Sequence, residues 1–223
     1  MEGGMVSHAA RLLNGLPIYT EPSADFVPFF YTPGYHALVA GTGWLFGDVS
    51  LLSARVVSLI ATLATFGLLF WVVRRESSSL YGLLAVGIYA ALFRTSGAFY
   101  DLARPDALYM FLIFVGVVLA YRFENWVGVI AASLVFVAAF FTKQTSSVFV
   151  PPIILYLIWR DWRHGLVFTI TVFGFSVFGV WLLNRATDGW FWTYIFEGHQ
   201  GHLFYWKNIL LEYWRDVLFL APV

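Results

Sequence analysis

An all-α polytopic membrane protein is the fold class that this 223-residue sequence predicts, and three observations predict it. Hydrophobic residues make up 60% of the chain and charged residues 12%, against about 25% charged in soluble domains. Mean hydropathy is +0.76. Apolar runs near the length of a membrane span follow one another from residue 51 to residue 184, separated by short polar turns. With 13 basic and 13 acidic side chains, no soluble fold of this size covers that much apolar surface, so lipid is the main solvent. The zero net charge gives no electrostatic basis for a nucleic-acid partner. The absence of cysteine excludes thiolate metal sites, iron–sulfur clusters and disulfides.

The elements follow in order. Met5, Ala9, Leu12 and Leu13 form one apolar stripe over residues 2–14, with Ser7, His8, Arg11 and Asn14 off it. Gly15 and Pro17 then supply a stop. A second short helix is predicted over 32–47, and both helices are expected to lie on the bilayer surface. Six spans are predicted: 51–73, closed by Arg74-Arg75-Glu76, then 80–99, 107–121, 126–141, 145–159 and 165–184. Pro151-Pro152 interrupts the fifth, which predicts a kinked or half-spanning segment. Gly82, Gly87, Gly116, Gly174 and Gly179 are read as sites of close helix packing. After residue 184, Trp190, Trp192, Tyr194, Tyr205, Trp206, Tyr213 and Trp214 supply an interfacial aromatic belt.

The whole of 1–223 thus reads as one domain: a loop at 1–50 with two interfacial helices, a transmembrane bundle at 51–184, and an aromatic-rich loop at 185–223. The apolar run 217–223 reads as the opening of a further span, and the chain as part of a longer one. The turns 74–79, 122–125 and 160–164 carry five arginines in 15 residues, against three basic residues in the 16 of 94–105 and 142–145. Positive-inside asymmetry therefore predicts an extracytoplasmic position for the two terminal regions.

On that topology one face collects the unusual polar residues: Glu2, the segment Asp101-Leu-Ala-Arg104-Pro-Asp106, and Thr142-Lys143-Gln144-Thr145. Ionisable groups at membrane depth are costly, which makes them functional candidates. A carboxylate can accept a proton from an acceptor hydroxyl or amine, and fixed cations can stabilise charge on a departing phosphate. The plainer readings are an Asp101–Arg104 salt bridge at a helix start and a Lys143 that snorkels to the interface.

Several segments carry a resemblance: EGG at 2–4, ARLLNGLPIY at 10–19, DFVPFFYTPGYHALVAGTGWLFG at 25–47, LSARVVSLIATLATFGLLFWVVRR at 52–75, YDLARPDALYMFL at 100–112 and FFTKQTSSVFVPP at 140–152. In this order they resemble the GT-C membrane glycosyltransferases. The branch is the one that groups protein O-mannosyltransferases, lipid A aminoarabinose transferases and rhizobial lipopolysaccharide galacturonosyltransferases. The resemblance implies a hexosyl or pentosyl transferase that takes its sugar from a polyprenyl-phosphate donor, with inversion. The acceptor would be a lipid, glycan or protein on the outer face of the plasma (inner) membrane.

Residue by residue, Glu2 matches the first-loop acid, Asp106 the second-loop acid and Lys143 the phosphate-contacting lysine. Glu2 and Asp106 are then the expected catalytic residues. Lys143, Arg104, Asp101, His8, Arg11, Tyr31 and Tyr35 are the expected substrate contacts. Against the family pattern, the helix expected before the first loop is not part of this sequence, which is read as part of a longer chain, and a single Glu2 stands where many relatives carry Asp-Glu. Some relatives use a divalent metal, and two outer carboxylates can ligate Mg²⁺ or Mn²⁺ as readily as act as bases, so no metal is assigned.

Other signals are weaker. Glu197-x-His199-x-x-His202 has loose metal-ligand spacing but glycines that make it a polar interfacial turn, and Gly41-x-Gly43 lacks the strand and the Lys-Ser/Thr of a phosphate loop. A transporter is the competing class, on the Pro151-Pro152 break and Arg94 within an apolar run. A non-catalytic membrane subunit is the third.

Overall fold

The computed structural model describes residues 2–123 and 125–198, and every regular element among them is helical. Local chemistry sets most of the boundaries. α1 (Glu2–Leu13) ends where Gly15, at φ +70°, lets the Gly15 amide reach the Leu12 carbonyl and the Leu16 amide that of Arg11. α2 (Gly34–Phe46) closes on Gly47 at φ +88°. α3 (Leu51–Glu76) opens with a reciprocal cap between Ser50 and Ser53 and ends in Arg74 and Arg75, which complement the helix dipole. Ser78 caps α4 (Ser79–Ala91), and Asn125 caps α6 (Trp126–Thr142). Pro105 precedes α5 (Asp106–Arg122), whose first turn carries an aspartate. Asp161 separates α7 (Val150–Arg160) from α8 (Trp162–Ala186) and caps the latter. A short turn, Trp190–Trp192, continues as a wide turn at Thr193–Glu197.

Two of these helices, α3 and α8, are long and apolar enough to cross a membrane. At 1.5 Å per residue their 26 and 25 residues reach about 39 and 37 Å. Ile170, Phe173, Val177, Phe178 and Trp181 are exposed on α8 among the described residues, an apolar surface suited to lipid. The expected span 80–99 is shorter than predicted: α4 stops at Ala91, and the chain runs on through turns, with positive φ at Gly97 and Ala98, to Pro105. The Pro151-Pro152 pair does not kink a helix. It starts one, at the first positions of α7, where proline's missing N–H costs nothing, after a tight 3₁₀ segment at Gln144–Phe149.

α5 packs between α3 and α6, α8 on α6 and α7, α4 on α3, and α1 on α2. Phe136 of α6 and Phe168 of α8 meet edge to face at 5.5 Å in the main core. Of the five glycines expected to permit close packing, a Cβ at Gly82, Gly116 or Gly179 would strike Phe70, Phe136 or Phe141, whereas Gly87 and Gly174 face open space.

The two ends of the bundle differ. At one, Glu2 reaches the Ala103 amide, Thr32 the Phe140 carbonyl and Gln144 the Phe30 carbonyl, and Tyr19 packs on Phe191. At the other, Arg122 reaches Glu76 and Arg160 the Tyr121 carbonyl. α1, α2, the 92–105 segment, the Lys143 break and the 190–198 turn therefore share one end. His8 corrects the expected polar flank of α1. It is buried, with its two ring nitrogens used by the Gly4 carbonyl at 2.7 Å and the Phe29 amide at 2.9 Å. α2 is apolar on both faces rather than amphipathic: Tyr35 and Val39 are buried, and Leu38, Trp44 and Leu45 are exposed. In the expected aromatic belt, Tyr194 is buried with Phe191 against Ile18 and Tyr19. Tyr205, Trp206, Tyr213, Trp214, His199, His202 and the run 217–223 lie outside the described residues.

Candidate active site

Asp106 is the centre of the site. The Arg104-Pro105-Asp106 sequence ends the irregular segment and begins α5, which buries the carboxylate at the end of the bundle that carries α1 and α2. Burial there requires partners, and two cations supply them. Lys143 Nζ donates to Oδ1 at 2.7 Å and Arg104 Nε to Oδ2 at 3.0 Å. Lys143 is the residue on which α6 stops. Its extended backbone (φ −156°, ψ 117°) aims the side chain back across the bundle, where the ammonium lies 4.9 Å from the Tyr109 ring centroid. Arg104 also donates to the Tyr31 hydroxyl at 3.2 Å and lies over the Phe99 ring at 4.4 Å.

Tyr31 is brought in by the stretch before α2. Tyr19 Oη donates to its carbonyl, and Thr32 Oγ1 to that of Phe140. A Cβ at Gly34 would come within 2.6 Å of the Phe141 carbonyl oxygen, so only glycine allows α2 to abut the end of α6 here. Three segments far apart in sequence thus converge on Asp106. Asp106 is also one of the residues lining a cavity of about 250 Å³, together with Thr62, Thr65, Tyr100 and Tyr109.

Glu2 makes a separate cluster. Arg55 grips it bidentately, Nε to Oε1 at 2.9 Å and Nη2 to Oε2 at 2.7 Å, and the Ala103 amide donates to Oε1 at 2.7 Å. The Arg55 hydrogen bond, then the Ala103 amide, hold the Glu2 carboxyl below its ordinary range. Tyr35 lies between the clusters: its hydroxyl donates to the Ala54 carbonyl at 2.9 Å and sits 3.2 Å from Ser58 Oγ. Burial, aided by the charges of Glu2 and Asp106, pushes its hydroxyl up to about 12.

Residues 31–184 match the model of the dolichyl-phosphate-mannose-protein mannosyltransferase family, which is more than half of the chain. The chain belongs to that family. It is accordingly an integral membrane glycosyltransferase with a lipid-linked sugar donor and a glycan or protein acceptor. Neither the curated proteins nor the solved structures contain a match.

The matched stretch of this mannosyltransferase-family chain contains Tyr31, Tyr35, Asp101, Arg104, Asp106 and Lys143, whereas Glu2, His8 and Arg11 precede it. Tyr31, Arg104, Asp106 and Lys143 form one cluster. His8 and Arg11 do not join it: His8 is locked under Phe29, and Arg11 donates to the Pro17 carbonyl and stacks on Phe26 at 3.9 Å. Asp101 is exposed, and Arg104 turns to Asp106 instead of forming the Asp101 pair that spacing alone suggests. Among the described residues no three His, Asp or Glu side chains come together. Each of the two carboxylates faces cations, a setting that fits an anion better than Mg²⁺ or Mn²⁺. Three residues escaped the sequence reading: Arg55, Ser58 and Thr62, spaced i, i+3 and i+7 on one face of α3. An arginine inside an apolar run, with hydroxyls at helical spacing below it, was the available signal.

Proposed function

We propose that the chain transfers a sugar from a polyprenyl-phosphate donor to an extracytoplasmic acceptor, with Asp106 as general base and with Lys143 and Arg104 holding the donor phosphate. The observation that carries this reading is the Asp106 carboxylate, bound by two cations in a residue that also borders a cavity. An incoming phosphate offers Lys143 and Arg104 a second anion. When they turn to it, the Asp106 carboxylate is freed to accept a proton.

In the reaction, the acceptor oxygen forms a bond to the anomeric carbon as its proton passes to Asp106. The bond from that carbon to the phosphate oxygen breaks on the opposite face, and the electron pair leaves with the polyprenyl phosphate. Charge on that leaving group is stabilised by the two cations. The tail has a suitable place in the cavity of about 420 Å³ between α6, α7 and α8, lined by Phe136, Phe140, Val150, Val172 and Phe173. The six apolar segments of 51–184 would lie in the bilayer, α4 and α7 as partial crossings, with the Asp106 end outside.

Binding of farnesyl monophosphate, a short polyprenyl phosphate, to the detergent-solubilised chain tests the cation assignment. Lys143→Ala should weaken it about tenfold or more, as expected for a lost charge-assisted bond. Unchanged affinity would remove Lys143 from the donor site. For topology, a cysteine at exposed Thr95 should react with an impermeant reagent added outside, and one at Ser78 should not. The reverse pattern would place the site in the cytoplasm.

A further inference from the structure

We infer that Glu2 is a positioning residue for the donor site: with Arg55, Ser58 and Thr62 it holds the 100–104 segment against α3 and thereby sets Arg104. This rests on the assignment of Arg104 and Lys143 to the donor phosphate. The 100–104 segment has no regular structure of its own, yet it delivers both the Arg104 side chain and the start of α5.

The polar face of α3 supplies what regular structure would otherwise supply. Thr62 Oγ1 donates to the Tyr100 carbonyl at 2.6 Å, and Ser58 Oγ to the Arg104 carbonyl at 3.2 Å. Arg55, one turn further on, cannot accept from an amide, since a guanidinium carries only donors. Glu2 solves this by standing between them. It takes the fork of Arg55 and, with Oε1, accepts the Ala103 N–H at 2.7 Å. The residue whose amide is held is the immediate neighbour of Arg104. Ala103 is fully buried, so the segment cannot shift without opening the packing of Met5, Tyr35 and Ala54 around it.

A general base has the opposite requirements. It needs lone pairs free to meet an acceptor proton, and on Glu2 three of about four acceptor positions are taken, one of them by a backbone amide that cannot turn aside.

Electrostatics makes the two roles predict opposite signs. Removing a carboxylate near an anion site should tighten phosphate binding, or leave it unchanged, if that carboxylate only awaits an acceptor proton. Removing a positioning residue should weaken it. Farnesyl monophosphate affinity is therefore measured on the solubilised chain and on Glu2→Ala, Glu2→Gln, Arg104→Ala and the Glu2→Ala/Arg104→Ala double variant. Glu2→Ala should weaken binding about tenfold, the size of one lost charge-assisted bond. In the Arg104→Ala background the same change should have no further effect, because Glu2 acts through Arg104. Glu2→Gln keeps an oxygen for the Ala103 amide but loses the ionic grip of Arg55, so it should weaken binding by about two- to threefold, a loss that also serves if Glu2→Ala fails to fold.

Unchanged or tighter binding in Glu2→Ala, or in Glu2→Gln should the alanine variant not fold, would overturn the proposal. So would an undiminished loss on top of Arg104→Ala. Lys143→Ala separates the two readings: if it binds as wild type does, the phosphate assignment itself has failed, whatever Glu2 shows.

Discussion

Asp106 and Glu2 are both carboxylates gripped by basic side chains at the same end of the bundle, yet they are held by different kinds of partner. Asp106 is held by two side chains, Lys143 and Arg104, each attached to a different segment. It also lines a cavity. Glu2 is held by a bidentate guanidinium and by a backbone amide, which moves only if the chain moves. The difference teaches what each can do. A competing anion can take side-chain partners from Asp106 and leave the fold intact, whereas releasing Glu2 loosens the segment on which Arg104 stands.

The largest expected effect tests the exchangeable carboxylate. Asp106→Asn keeps size and removes the proposed proton acceptor, so transfer in membranes should fall by about 10²–10⁴, the usual worth of a general base. Because the variant also removes the anion that competes for Lys143 and Arg104, it should bind farnesyl monophosphate more tightly than wild type. Weaker binding together with lost transfer would make Asp106 a structural partner of the cations and erase the contrast with Glu2. Lys143→Ala approaches the same pair from its other side. It leaves a buried carboxylate with one partner fewer, so a lowered melting temperature should accompany the weakened phosphate binding.

The sequence marked both carboxylates as expected catalytic residues and did not separate them, and what it left unread has a physical reason. Asp106 and Lys143 stand out because ionisable groups beside apolar runs are costly, and their segments resemble a family with acids and a lysine in that order. The two surface helices could be bounded from Gly15, Pro33 and Gly47, whose conformational limits are local. The partners of the charges could not be read. Arg104 has Asp101 and Asp106 within three residues, and spacing cannot decide between them; the Pro105 turn into α5 does. His8 looked polar on a helical wheel because a wheel does not contain Phe29, whose amide meets the imidazole from a distant loop. α4 looked long enough to span because hydropathy alone does not register that the helix gives way to turns after Ala91.

An intermediate effect sharpens the comparison through pH. His36 is buried beside His8, ring to ring at 5.0 Å, and burial pushes its imidazole down to about 3 from an ordinary 6.5. His8 is lowered too, chiefly by burial. A histidine lowered in the folded state favours folding fully above its unfolded value and loses that contribution as pH falls. Between those two values His36 alone costs the fold about 1.4 kcal/mol at pH 5.5, and the loss grows down to about pH 3. Glu2 acts in the same direction at lower pH: its lowered carboxyl contributes above its ordinary 4.5 and is lost as pH falls through the folded value. Thermal melting between pH 7 and 5 should show the His36 loss in wild type and a smaller one in His36→Phe. Equal pH slopes would mean that the α1–α2 package does not hold His36 neutral.

The smallest effect belongs to an ion pair at the other end of the bundle, where Arg122 Nη2 meets Glu76 Oε1 at 2.7 Å. Its length equals that of the Lys143–Asp106 contact, so distance alone would rank them together. Exposure separates them: the Glu76 side chain is 58% accessible, against 10% for Asp106. Solvent screens the first pair and offers Glu76 full hydration when the contact breaks, which limits such pairs to about 0–1 kcal/mol. Arg122 keeps a second neighbour in the Trp71 ring at 5.2 Å, so losing Glu76 does not strand it. Glu76→Gln should therefore shift stability by no more than about 0.5 kcal/mol and leave farnesyl monophosphate affinity at the wild-type value. A change in that affinity would show that charge anywhere on the bundle reaches the phosphate site. The separate roles assigned to Asp106 and Glu2 would then have to be replaced by one long-range field.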